Sequence, residues 1–228
     1  MFIKIYCDGA GHDDFIRYAS DPKIGGFTTN PSLCRKLGIK DYADFGKSLA
    51  SLTAKPISFE VIADDFNEME RQAKIISSWG QQFYVKIPIT NTKGDSSLPL
   101  IQRLTLQGIK INVTAVFTFS QISAAGKILN GTPAILSIFA GRIADTGVNP
   151  IPYFTRAKFS CNPNVQVLWA STRELFNVKQ AINAGADIIT IAPEMIRKLD
   201  LFGKDLTEYS LDTVRQFHDD AKASGFAL

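Results

Sequence analysis

Apolar and polar positions along the chain switch between two periods. Eight short runs of apolar, β-branched or aromatic residues recur: "FIKIYC" (2–7), "IGGFTT" (24–29), "ISFEVI" (57–62), "FYVKIP" (83–88), "INVTAV" (111–116), "AILSIF" (134–139), "VQVLWA" (165–170) and "DIITIA" (187–192). Their length and residue types predict strands. Longer stretches between them carry helical spacing. Phe66, Met69, Ala73 and Ile76 share a face over 65–79, and Leu175, Val178 and Ile182 do so over 174–184.

Strands that alternate with helices predict a parallel sheet, because neighbouring parallel strands need a crossover of about a dozen residues or more. Eight such units predict a single-domain α/β fold spanning 1–228, a closed (β/α)8 TIM barrel near the small end of its range. An open dinucleotide-binding sheet is the alternative, but "CDGAGHDD" after the first run has Gly9 and Gly11 and lacks the third glycine of that fingerprint. Beyond the eighth unit, Leu211, Val214, Phe217 and Ala221 form an apolar stripe over 210–224. This predicts an extra C-terminal helix, covering its own barrel or a neighbouring subunit.

Composition narrows the class. The chain has 228 residues, 45% hydrophobic and 21% charged, with a formal net charge of +3, and its Lys and Arg are dispersed. That is an ordinary globular balance with no footprint for nucleic acid or an anionic membrane. No run is long enough to span a bilayer, and the amino terminus lacks a signal-peptide core. The three cysteines, Cys7, Cys34 and Cys161, are odd in number and widely spaced, which suits a reducing cytoplasm. The sequons at Asn112 and Asn130 then read as chance matches. His12 and His218 fall in no metal-ligand pattern, so a zinc or iron site is not expected.

The chemistry-bearing residues gather at strand ends. Asp8 follows run one, Thr28 and Asn30 run two, and Glu60 lies in run three, Lys86 in run four, and Asn112 and Thr114 in run five; Arg142 follows run six and Ser171 and Arg173 follow run seven. Active sites of barrels sit at that end of the strands. Side chains alternate along a strand, so Ser58 shares a face with Glu60, Tyr84 with Lys86, and Asn112 with Thr114.

Taken singly, a lysine or glutamate in a strand more often lies at an exposed rim, and Asn112 and Thr114 serve equally well as barrel filling. Taken together, an outward Lys86 would meet the covering helices, whereas an inward one is balanced by Glu60 and Asp8. A buried amine is a candidate nucleophile toward carbonyls, since desolvation favours its neutral form while nearby carboxylates favour the charged one. Two guanidinium groups and a hydroxyl would make a fork for a phosphate monoester.

The blocks "GGFTTNPSL" (25–33), "FEVIADD" (59–65), "VKIPIT" (85–90), "INVTAVFTFSQ" (111–121), "GRIADTG" (141–147) and "WASTRE" (169–174) resemble those of the transaldolase family, in the short branch that also holds fructose-6-phosphate aldolases. The resemblance implies a Schiff-base lysine at Lys86, acid/base carboxylates at Asp8 and Glu60, and a catalytic water held with the help of Thr114. It implies sugar-hydroxyl contacts at Asn30 and Asn112, and a terminal-phosphate site at Arg142, Ser171 and Arg173. Thr28 and Phe139 join the expected substrate-binding set. It further implies no cofactor, sugar-phosphate partners, and a homo-oligomer, pentamer or decamer, built through the C-terminal helix.

Within the family, transaldolases resemble this chain in having Glu at position 60 and Phe at position 139, where the aldolases have Gln and Tyr. The expected activity is therefore transfer of a dihydroxyacetone unit between sugar phosphates in the pentose phosphate pathway. The alternatives are an aldolase releasing dihydroxyacetone, a transaldolase for a modified sugar such as a sulfonated one, and a non-catalytic sugar-phosphate binder. The chain departs from the family pattern at Gly9 and Ala10, where a hydroxyl residue is usual, and at the longer segment 91–97.

Overall fold

Strands β1 (Lys4–Asp8), β2 (Ile24–Thr28), β3 (Ile57–Glu60), β4 (Phe83–Pro88), β5 (Ile111–Val116), β6 (Ala134–Ile138), β7 (Val165–Trp169) and β8 (Ile188–Ile191) pair in parallel in chain order. β8 returns to β1 through Lys4–Ile188 to Cys7–Ile191, which closes the barrel. The computed structural model describes residues 3–9, 11–129, 131 and 133–226. Phe2 of the first expected strand, Ala10 of the first loop and Asn130 of the second sequon lie outside the described residues.

The connecting helices are α1 (His12–Ala19), α2 (Pro31–Lys36), α3 (Tyr42–Leu52), α4 (Phe66–Ser78), α5 (Leu98–Leu106), α6 (Phe119–Ile128), α7 (Ala140–Asp145), α8 (Ile151–Ser160), α9 (Asn177–Asn183) and α10 (Pro193–Ile196), followed by α11 (Leu206–Ala223). The residues form two compact units, Met1–Pro193, which holds the barrel, and Glu194–Leu228, which holds α11. No residue of α11 is buried, and Leu211, Val214 and Phe217 of the expected stripe are exposed.

Local chemistry explains the element boundaries. The expected helix over 65–79 loses one residue at each end because Asp65 and Trp79 are its caps: the Asp65 carboxylate accepts from the amides of Asn67 and Glu68 at 3.0 and 3.1 Å. Such a cap contributes about 1 kcal/mol. The helix expected over 174–184 starts only at Asn177, whose side-chain oxygen accepts from the amides of Arg173 and Glu174 at 2.9 and 3.2 Å and holds that segment in a turn. Its buried face is Asn177, Val178 and Ala181. Ile182, expected on the apolar face, is exposed because it lies one position further round this short helix.

Strand alternation sorts the side chains into two sets. Outward residues pack under the helices: Phe27 stacks on Phe15 with ring centroids 3.8 Å apart, Phe59 meets Trp79 edge-on at 5.2 Å, and Trp169 stacks on Phe154 at 4.8 Å. Each pair adds roughly 0.5–1.5 kcal/mol beyond its buried area. Inward residues Tyr6, Ile135, Leu168 and Ile188, with Tyr84 against them, form an apolar layer inside the barrel. Gly26 makes room for this layer, since a Cβ there would meet the Tyr6 ring at 2.6 Å. The polar layer lies one inward step further along, where Asp8, Ser137 and Thr190 follow Tyr6, Ile135 and Ile188 by two residues.

Candidate active site

The pairing register builds the polar layer. Asp8 lies beside Thr28, Thr28 beside Ser58, Glu60 beside Lys86, Lys86 beside Asn112, and Pro88 beside Thr114. Lys86 points inward and is only 5% exposed. Its Nζ donates to the Thr29 carbonyl at 2.9 Å and lies 3.1 Å from Glu60 Oε2. These two oxygens compensate the buried ammonium, which would otherwise cost several kcal/mol.

The Lys86 side chain opens onto a cavity of about 240 Å3 that is also lined by Asp8, Thr28, Asn30, Thr114, Phe139, Arg142, Ser171 and Arg173. Asp8 accepts from Thr28 Oγ1 at 2.6 Å. Burial pushes its carboxyl above the usual aspartate range, against the opposing pull of Lys86 and the Thr28 hydrogen bond. Thr28 Oγ1 also lies 2.5 Å from Thr190 Oγ1.

Two expected residues sit differently from the rest. Glu60 is not among the cavity-lining residues; it pairs with Lys86, which is, and it lines a separate, mostly apolar hollow with Tyr42, Ile76 and Trp79. Asn112 is fully buried and is not among the cavity-lining residues. It accepts from Ser137 Oγ at 2.7 Å and donates to Ser58 Oγ at 2.9 Å. That burial also leaves no room for a glycan at Asn112. Thr114 Oγ1 is buried and has no hydrogen-bond partner among the described residues, yet Thr114 lines the cavity, so it is free to hold a water or a substrate hydroxyl.

The cationic rim comes from α7, which follows β6, and from the loop after β7. The Arg142 guanidinium lies 5.3 Å from the centroid of Phe139. Arg173 is gripped by Asp145, with Nε 3.1 Å from both carboxylate oxygens and Nη2 2.5 Å from Oδ2. That grip holds the Asp145 carboxyl below its usual range and raises the Arg173 guanidinium. Among the described residues two other than glycine have left-handed backbone, Ala115 (φ 56°) and Ser171 (φ 63°). Ala115 sits where the β5–β6 register shifts, next to Thr114. Strain of this kind, of order 1–3 kcal/mol, thus collects at the mouth of the barrel.

Sequence reasoning missed Ser137, Thr190, Ser32 and Lys36, all of which line the cavity. The alternation that pairs Glu60 with Ser58 also turns Ser137 and Thr190 inward, so that signal was present. Ser32 and Lys36 come from α2 and follow only from where that short helix lies. Among the described residues no group of three or more His, Cys, Asp or Glu side chains is gathered as metal ligands are, and no helix is long and apolar enough to cross a membrane.

The profile described as Transaldolase/Fructose-6-phosphate aldolase matches residues 5–228. This chain belongs to that family. Its relatives include a "Probable transaldolase" of Hyphomonas neptunium, 32% identical over 229 residues covering 99% of this chain and 100% of the relative. A "Probable transaldolase 2" of Listeria monocytogenes is 30% identical over 200 residues, covering 86% and 88%. Among solved structures, the tryptophan synthase A-subunit of Pyrococcus furiosus superposes with a TM-score of 0.60 at 13% identity over 91% of this chain and 93% of that one. A structure named "Native KDPGal structure" does so at 0.52 and 14% over 84% and 82%. At these identities the structural likenesses concern the barrel alone, and family membership rests on the sequence match across the chain.

Proposed function

We propose that this family member is a transaldolase that carries a dihydroxyacetone unit on Lys86. The observation that carries the reading is the Lys86 amine, buried at the end of β4, open to the cavity and 3.1 Å from a carboxylate able to take the proton it must shed. The neutral amine adds to the C2 ketone of a ketose phosphate, and loss of water gives an iminium. As the C3–C4 bond breaks, the C4 hydroxyl gives its proton to Asp8, the bonding pair flows into the iminium to form an enamine, and the aldose phosphate leaves. The enamine then adds to a second aldose phosphate, and hydrolysis frees the product ketose.

Glu60, through a water held at the unpartnered Thr114 hydroxyl, serves the carbinolamine and hydrolysis steps. Arg142, Ser171 and Arg173 hold the terminal anion, Asn30 and Thr28 line the sugar's path, and Asn112 acts from beneath through Ser137. The pair that fits is sedoheptulose 7-phosphate and glyceraldehyde 3-phosphate giving fructose 6-phosphate and erythrose 4-phosphate, in a cytoplasmic pentose phosphate pathway. Residues 1–228 act as one functional domain, with the exposed apolar stripe of α11 as the contact of a homo-oligomer.

Phe139 at the cavity wall favours transfer over release of free dihydroxyacetone, because a phenyl ring offers no proton to the enamine. Borohydride reduction with fructose 6-phosphate tests the reading: a mass adduct is expected on Lys86 and absent in Lys86→Ala. No adduct on the wild-type lysine ends the proposal. Free dihydroxyacetone released at a useful rate without an acceptor aldehyde would instead identify the aldolase.

A further inference from the structure

The anion rim is one positive charge short. Arg142 and Arg173 are the two guanidinium groups expected to hold a terminal phosphate, but Arg173 is already engaged by Asp145 through Nε and Nη2. Asp145 also feels Arg142, which helps hold its carboxyl low and charged. Two guanidinium groups less one carboxylate leave a single net positive charge, whereas a phosphate monoester carries about −1.5 to −2 near neutral pH. The opposite wall of the same cavity supplies a further cation, Lys36, at the end of α2 and one turn after Ser32. Among the described residues the Lys36 ammonium has no hydrogen bond or ion pair, and the residue is exposed.

We propose that Lys36 is a specificity-determining residue, the charge that lets the cleft prefer a dianionic phosphate ester over a neutral sugar or a monoanionic one such as a sulfonate. A flexible ammonium on the far wall is suited to this task. It meets the anion from the side opposite the guanidinium fork and adds charge without demanding a fixed geometry. Ser32 offers a hydroxyl on the same face of α2, one turn earlier. The proposal rests on the sugar-phosphate reading of the cleft but not on the Schiff base, so the two are separable.

The test is equilibrium binding of glucitol 6-phosphate, which has no carbonyl and forms no adduct, by titration calorimetry on the full-length wild type, Lys36→Met and Lys36→Arg. The expected results are a Kd raised about tenfold in Lys36→Met, retained within about twofold in Lys36→Arg, and a shallower loss of affinity with added salt in Lys36→Met than in the wild type. In kinetics, Lys36→Met should raise KM for fructose 6-phosphate while leaving kcat/KM for fructose within about twofold. Because Lys36 is exposed, the fold should be unaffected, and an unchanged unfolding midpoint checks this. An unchanged Kd in Lys36→Met, an equal loss for phosphorylated and neutral sugars, or no binding of glucitol 6-phosphate to the wild type overturns the proposal. Failure of borohydride trapping at Lys86 would strike the Schiff-base reading and leave this comparison standing.

Discussion

Replacing Gly141 by alanine is expected to perturb the proposed anion site without removing a charged group. Gly141 lies in the first turn of α7, pressed against the loop after β7, and its amide donates to the Ala170 carbonyl at 3.3 Å. A Cβ on Gly141 would sit 1.6 Å from the Ser171 carbonyl oxygen and 3.2 Å from Arg173 Cγ. The obstacle is backbone, so rotamer changes give no relief, and relief requires α7 and the loop to part by roughly 1.4 Å or more. Ser171, already left-handed at φ 63°, has little freedom to absorb that shift.

Overpacking of this sort costs about 1–3 kcal/mol, and misplacing binding groups by about 1 Å can cost about 100-fold in rate. Gly141→Ala is therefore expected to lose roughly 100-fold in kcat/KM for a phosphorylated ketose, mostly in KM. It should still form the Lys86 adduct with a neutral ketose. Steady-state kinetics with fructose 6-phosphate and fructose, together with urea unfolding, read the two effects. A variant with wild-type KM for fructose 6-phosphate and wild-type stability would refute the argument that this close approach sets the Ser171–Arg173 geometry.

Asp8 gives a prediction about pH. Its carboxyl is raised in the folded protein, so the folded state holds the proton more tightly than the unfolded chain, and the ionised form lowers stability as pH climbs from about 3.9 through the folded-state value. Asp8→Asn should thus be inactive yet more resistant to urea than the wild type at pH 7, with the difference vanishing as pH falls toward about 4. A gap that stays constant or reverses with pH counts against the buried-carboxyl account. Ser137→Ala should leave the Asn112 amide oxygen, now accepting at 2.7 Å, buried and unpaired. A stability loss of about 1–3 kcal/mol is expected, with a lowered kcat from an amide no longer fixed in one orientation, both recovered in Ser137→Thr. Retention of both properties in Ser137→Ala would show that Asn112 needs no such support.

Much of the barrel was legible because its code is local. Period-two alternation in eight short runs, with helical spacing between them, is visible residue by residue, and the runs at 83–88 and 111–116 coincide with the strands that form. The same alternation put Ser58 with Glu60, Tyr84 with Lys86 and Asn112 with Thr114 on shared faces. Helical spacing erred at the start of α9, where the amides of Arg173 and Glu174 donate to the Asn177 side-chain oxygen, and at Ile182, which lies one position round from the buried face.

What the chain by itself determined was therefore which residues share a face and in what order they arrive, since side chains alternate along a strand by backbone geometry alone. Only the closed sheet decided which of them meet. Lys86 finds Glu60 and the Thr29 carbonyl through strand register, and Asp145 claims Arg173 across 28 positions. Lys36 shares a cavity with Arg142 through the placement of α2. Charge balance in a cleft depends on distances between segments remote in sequence, and those distances exist only once the barrel has closed.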